Sequence, residues 1–115
     1  MSFLKSLEIE VKKDIERIFE EKKTQLEVEA KLDVVFIDYA PIEGEFVYGE
    51  AFPFENPPRV RLEVVALDAT IEEITKVLCD ELIHITEPEL EQYIPGTLKE
   101  RKKFKNKIRL CIESS

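Results

Sequence analysis

The sequence has few of the residues that usually mark a catalytic loop or a phosphate site. Of its 115 residues, three are glycine, one is histidine and none is tryptophan. Three glycines are too few for a glycine-rich phosphate loop. All of the serines lie near the chain ends, where the geometry of a catalytic triad is poorly held. These shortages argue against a nucleotide-binding protein and against a serine hydrolase.

Cysteine and long apolar runs are also scarce. Two cysteines, Cys79 and Cys111, cannot make a disulfide framework or a four-thiolate zinc site, and we expect them to be buried, reduced thiols. No run approaches the ~18 apolar residues of a membrane span. Charged residues interrupt the N-terminus, so it does not read as a signal peptide. The sequence therefore predicts a cytoplasmic protein that is not in the membrane.

The charge balance is acidic and unevenly distributed. A net charge of −8 argues against nucleic acid as a partner of the whole domain. Residues 97–115 nevertheless hold seven basic and two acidic side chains. This basic segment is either a solvated helix near acidic surface or a small patch for an anionic partner. The high content of glutamate and lysine is typical of a thermophile.

Apolar periodicity predicts the elements and their order. In order, they are a helix from Phe3 to about Lys23, strands over 26–37, 45–52 and 59–67, a helix over 70–87 and a last helix starting at Gly96 and Thr97. This order indicates an α+β fold, with helices packed on a small sheet of three or four strands, in a single domain over 1–115. Gly49, inside the second strand, indicates a bulge or a close backbone approach.

The central helix carries the one stretch that points to a chemistry, Asp80-Glu81-Leu82-Ile83-His84. At ~100° per residue, Asp80 and His84 are neighbours one turn apart, on the side away from the apolar stripe. Two ligands spaced in this way can bind one metal ion. Thr70 and Glu73 form a candidate capping box at the start of this helix.

The motif and the order of elements resemble the small zincin-like metallopeptidase domains, whose active-site helix reads His-Glu-x-x-His. The resemblance implies that His84 is a zinc ligand and Glu81 the general base, with Asp80 in the place of the first histidine. It also implies a third, carboxylate ligand from a later segment. The candidates for that ligand, in order, are Glu100, Glu91 and Glu87.

Asp80 is the departure from that family pattern. A carboxylate can bind zinc, but aspartate is shorter than histidine and favours harder ions. The resemblance therefore implies a degenerate or inactive metallopeptidase relative with a weak metal site. An active form would hydrolyse a peptide laid along strand 45–52. The alternative is that Asp80 pairs with Lys76 and that Asp80 and His84 are merely a solvated helix face.

A second resemblance rests on Phe52-Pro53-Phe54-Glu55-Asn56-Pro57-Pro58, which is similar to the proline turn of ubiquitin-conjugating enzymes and their non-catalytic RWD-domain relatives. No cysteine follows this turn in an exposed loop, as a thiolate nucleophile would need. This resemblance therefore implies a non-catalytic protein-interaction module. The same prolines are also expected in a stiff connection between two strands.

Overall fold

The computed structural model describes residues 2–87 and 98–114, with the backbone alone for residues 98–101. The elements are α1 (Phe3–Leu26), β1 (Lys31–Phe36), β2 (Val47–Phe52), β3 (Arg59–Val64), α2 (Ile71–Thr86) and α3 (Leu98–Glu113). The predicted α+β class, with one helix, three strands and two helices, is confirmed. No helix in the described ranges combines the length and the apolar character that a bilayer span requires.

The three strands form one sheet in the order β1-β3-β2, so β2 is an edge strand. β3 is parallel to β1 and antiparallel to β2. Val60, Leu62 and Val64 of the central strand are completely buried on one face of the sheet. They pack in one core with Ile15 of α1 and Leu78 of α2, so both helices cover that face. The alternating side chains Arg59, Arg61 and Glu63 fall on the opposite face.

The first strand is shorter than predicted, because α1 continues to Leu26. Glu27 then adopts a left-handed conformation (φ 53°), and its N–H bonds the carbonyls of Lys23 and Thr24. β1 begins only at Lys31, which pairs with Arg59. On β3, the residue before Arg59 is Pro58, which has no N–H to donate to a ladder, and the pairing does not extend to residues 26–30. The alternation of apolar and charged residues in this segment reflects the partial burial of Leu26 and Val28 against the core.

The prediction of two reduced cysteines is wrong. Cys79 of α2 and Cys111 of α3 form a disulfide with a Cα–Cα distance of 5.9 Å. Both residues are buried, as predicted, in a small cluster that also contains Ile83. They lie 32 residues apart, and the sequence predicted that each is buried in a helix without showing that the two meet.

A buried lysine fixes the end of α3 against α1. Lys22 is 4% exposed, and its Nζ donates to the carbonyl oxygens of Cys111 (2.6 Å) and Ser114 (2.5 Å). Carbonyls at a helix C-terminus lack partners within the helix, and a cation there also interacts favourably with the helix dipole. α3 is therefore tied to α2 by a covalent bond and to α1 by hydrogen bonds.

A candidate metal site on α2

Two hydrogen bonds of Glu73, one from its backbone and one from its side chain, fix the start of α2 against the sheet. Thr70 Oγ1 accepts a hydrogen bond from Glu73 N at 3.1 Å, which confirms the first half of the predicted capping box. Glu73 does not return the bond to Thr70. Its Oε2 accepts from Phe46 N at 2.9 Å instead, immediately before β2. This bond sets the position of α2 over β2.

Gly49 lets α2 approach β2 closely. A Cβ atom at Gly49 would lie 2.6 Å from Val77 Cγ1 and 2.7 Å from Glu81 Cγ, which is too close for any side chain. Of the two alternatives predicted for Gly49, the close backbone approach is confirmed. The space left by the missing side chain is filled by Val77 and Glu81.

Asp80, Glu81 and His84 bring three ligand atoms together. One atom from each side chain lies within 4.8 Å of the others, a spacing that one metal ion could span. His84 Nε2 is 3.5 Å from Asp80 Oδ1. The side chains of Asp80 and His84 are 44% and 14% exposed, and Glu81 as a residue is 6% exposed. The alternative of a solvated face therefore holds for Asp80 only.

Glu81 has the most perturbed environment of the three. Burial, together with the negative charges of Asp80 and Glu50, raises the pKa of Glu81 from 4.5 to about 7, and burial is the largest of these causes. Its Oε2 is buried and has no hydrogen-bond partner among the described residues. Burial also raises the pKa of Asp80, against the opposing effects of His84 and Lys76. The site therefore binds protons more tightly than free carboxylates do.

α3 supplies the wall behind His84. The ring of Phe104 packs on the imidazole with centroids 4.7 Å apart and an interplanar angle of 41°. One turn beyond His84, Glu87 forms an ion pair with Lys107 of α3. Glu87, the last candidate for a third ligand, is therefore engaged by a lysine and does not belong to the group of three. The disulfide between Cys79, which precedes Asp80, and Cys111 holds α3 in this position against α2.

The other two candidates for the third ligand, Glu91 and the side chain of Glu100, lie outside the described residues. The third oxygen that the structure does bring to Asp80 and His84 belongs to Glu81, which the sequence had suggested as a general base. The signal for this was present, since Glu81 falls between the polar and apolar faces of the helix. The zincin-like resemblance places Glu50 on the strand expected to lie along the site, whereas nothing in the sequence pointed to Phe104 as a neighbour of the site.

Comparison with protein-family models, with curated proteins and with solved structures finds no match to this chain.

Proposed function

We propose that this chain is a metal-binding domain in which Asp80, Glu81 and His84 bind one divalent cation. The observation that carries the proposal is the convergence of three ligand atoms within 4.8 Å, one of them from a carboxylate that is almost fully buried. A buried carboxylate oxygen without a hydrogen bond is costly in a folded protein. A bound cation would supply the missing partner and remove that cost.

The donor set favours an ion that accepts both nitrogen and oxygen. One imidazole and two carboxylates suit zinc, and they also suit manganese and iron. Calcium and magnesium prefer oxygen ligands alone and fit the imidazole poorly. Zinc is therefore the first ion to test. With two carboxylates in place of a second histidine, we expect weaker and less selective binding than in a two-histidine site.

The same geometry supports the degenerate zincin-like interpretation over an active peptidase. In that family, the glutamate of the motif acts as a base beside the metal. Here Glu81 is the only described side chain that offers the third ligand atom to Asp80 and His84. A carboxylate that binds the ion is not free to serve as its base. A single helix that supplies all three ligands would therefore bind a metal without hydrolysing a peptide.

Metal content of the purified protein tests the proposal. The chain is produced without a His tag, stripped with a chelator and titrated with zinc, manganese and iron(II), with bound metal measured by mass spectrometry. We expect one zinc per chain, lost in His84→Ala and in Asp80→Asn. Glu72→Gln, an exposed acid in the first turn of α2, is the matched control and should keep the metal. Metal-free wild-type protein under all these conditions would refute the proposal.

Glu81→Gln separates a ligand from a general base. If Glu81 is a ligand, the variant binds metal at least tenfold more weakly, and wild-type protein hydrolyses no peptide. If Glu81 is a base, the variant keeps its metal and loses a hydrolytic activity that the wild type has. A mixed peptide library with mass-spectrometric detection provides the activity assay.

A non-catalytic interaction module is the second candidate, and the uncovered sheet face favours it. The two helices in contact with the sheet cover the face that holds Leu62, and no described helix covers the other one. That face carries Arg59 stacked on the Phe52 ring at 4.1 Å. A partner could bind there or along the edge strand β2. A purified protein that binds no metal, and whose stability does not change in His84→Ala, would favour this RWD-like alternative.

A further inference from the structure

β1 forms one edge of the sheet, and β2, next to the candidate metal site, forms the other. Among the described strands, β1 pairs with β3 alone. The N–H groups of Lys31 and Ile37 both donate to carbonyls at or next to the ends of β3. Because backbone groups alternate in direction along a strand, those at every second position between these two residues point away from β3. These outward groups belong to Leu32, Val34 and Phe36.

A groove lies between this edge and α1. It has a volume of about 300 Å³ and is lined by Lys5, Glu8, Ile9 and Lys12 of α1 and by Phe36 of β1. The four helix residues recur at i, i+3, i+4 and i+7, so they form one stripe along α1. A strand added beside β1 would have alternate side chains on the same face of the sheet as Phe36, directed towards this groove.

The backbone groups of β1 select an extended chain as the occupant. The outward groups of Leu32, Val34 and Phe36 recur every two residues over about 13 Å, which is the spacing of a neighbouring strand. A helix uses its own backbone groups internally and cannot pair with them. In recognition by strand addition, such main-chain bonds supply affinity, and pockets for alternate side chains supply specificity. The groove beside Phe36 is a pocket of this kind.

The charges along the groove indicate which side chains the peptide carries. Lys5 and Lys12 are exposed and lie along α1 at ~6 Å and ~4.5 Å on either side of Ile9. Alternate residues of a strand are ~6.7 Å apart, so acidic side chains on either side of an apolar one can reach both lysines. Glu8, the one acid that lines the groove, is partly buried. The groove thus has a positive balance in a chain whose net charge is −8.

We infer that β1 and this groove bind an extended peptide segment of a partner protein, which adds to the sheet beside β1. The segment has an apolar residue whose side chain lies between Ile9 and Phe36. Two positions before and two positions after that residue, it has acidic residues that pair with Lys5 and Lys12. The surface lies at the opposite edge of the sheet from β2, so the inference is independent of the metal site and is tested on chelator-treated protein.

Peptide selection tests this surface. A random heptapeptide library displayed on phage is selected against the full chain, and enriched peptides are synthesised for titration. We expect a consensus with a central apolar residue and acidic residues two positions away on both sides. Bound peptide should slow hydrogen exchange at the amides of Leu32, Val34 and Phe36, and not along β2. The absence of a consensus, or protection along β2 instead of β1, overturns the inference.

Backbone methylation of the selected peptide distinguishes strand addition from binding through side chains alone. Only alternate N–H groups of an added strand face β1. Methylating the nitrogens of one alternate set should therefore weaken binding about tenfold or more, whereas methylating the other set should change it little. Equal effects of the two methylated sets would overturn strand addition.

Charge reversal on α1 tests the contribution of the lysines. The double variant Lys5→Glu/Lys12→Glu should bind the acidic peptide about tenfold or more weakly. It should bind a peptide with lysines in the two acidic positions more tightly than the wild type does, a gain that also proves that the variant is folded. Lys13→Glu is the matched control, since Lys13 is exposed and does not line the groove. A double variant that keeps the wild-type affinity for the acidic peptide overturns the inference.

Discussion

The buried side chain of Glu81 shows how a single residue of the candidate site lowers the stability of the folded protein. Its carboxylate lies in a space that exists only because residue 49 is glycine, and one of its oxygens has no partner among the described residues. The negative charges of Asp80 and Glu50 add to the effect of burial. A site that destabilises its own charged form in this way is typical of functional positions.

The first prediction concerns the pH dependence of Glu81 in metal-free protein. The folded pKa of about 7 lies above the ordinary value of 4.5, so the folded state holds its proton more tightly than the unfolded state. The stability contributed by this group is present below pH 4.5 and is lost as the pH rises to about 7. By linkage, the loss amounts to about 3 kcal/mol.

Denaturant unfolding of Glu81→Gln at several pH values measures this loss. The difference in unfolding free energy between variant and wild type should increase by about 3 kcal/mol in favour of the variant between pH 4.5 and 7. Taking the difference between the unfolding free energies of the two proteins removes the contribution of other titrating groups. Glu72→Gln is the control, and its difference from the wild type should show no such trend. A constant difference across this range would contradict the buried, perturbed position of Glu81.

The second prediction concerns Gly49→Ala. The new methyl group would overlap Val77 Cγ1 and Glu81 Cγ, so one of the two side chains or the strand must move. We expect a destabilisation of about 1–3 kcal/mol and weaker metal binding, because Glu81 is displaced from Asp80 and His84. Isothermal titration with zinc and denaturant unfolding measure the two effects.

Gly44→Ala is the control for that variant. Gly44 has a φ of 82°, which strains an alanine, but a Cβ there meets nothing within 4 Å. This substitution should cost about 1 kcal/mol of stability and leave zinc affinity unchanged. Equal metal binding by both glycine variants and the wild type would show that Gly49 does not position the site.

At the scale of elements, α3 is the part whose attachment depends on specific bonds. It contacts α2 through the disulfide and through Phe104 on His84, and it contacts α1 through Lys22. Its mean hydropathy is low and its exposed side is basic, so little apolar area holds it in place. The disulfide compensates for this small apolar contact.

The third prediction concerns the Cys79→Ala/Cys111→Ala double variant. A disulfide that joins residues 32 apart should contribute about 3–4 kcal/mol by restricting the unfolded chain. We expect that loss in denaturant unfolding, together with weaker zinc binding, because Phe104 is then held less firmly against His84. Intact mass measured before and after reduction and alkylation reports whether the native chain contains the bond. Free thiols in the native protein would contradict the structure at this point.

At the scale of the whole molecule, the disulfide constrains where the protein can function. Disulfides persist in oxidising compartments and in the intracellular proteins of hyperthermophiles. The cytoplasmic and thermophilic predictions are therefore linked, because a mesophilic cytoplasm would keep this pair reduced. Both stay predictions, and the melting temperature of the oxidised protein bears on the second.

The fourth prediction is that the chain unfolds as a single unit. One core joins α1, the sheet and α2, and the disulfide joins α3 to it. Calorimetry should therefore show one transition whose calorimetric and van't Hoff enthalpies agree. Two transitions, or an early loss of helical signal in oxidised protein, would indicate that α3 is a separate unit and would contradict the single domain predicted over 1–115.

The sequence alone determined the class of fold, because apolar periodicity is set by which face of each element is buried. It also located Asp80 and His84 one turn apart, since helix geometry fixes that spacing. The tertiary structure alone decided which separate faces meet: Cys79 with Cys111, His84 with Phe104, and Glu81 with the space above Gly49. Contacts between distant residues depend on how the elements pack, and no local pattern in the chain records that packing.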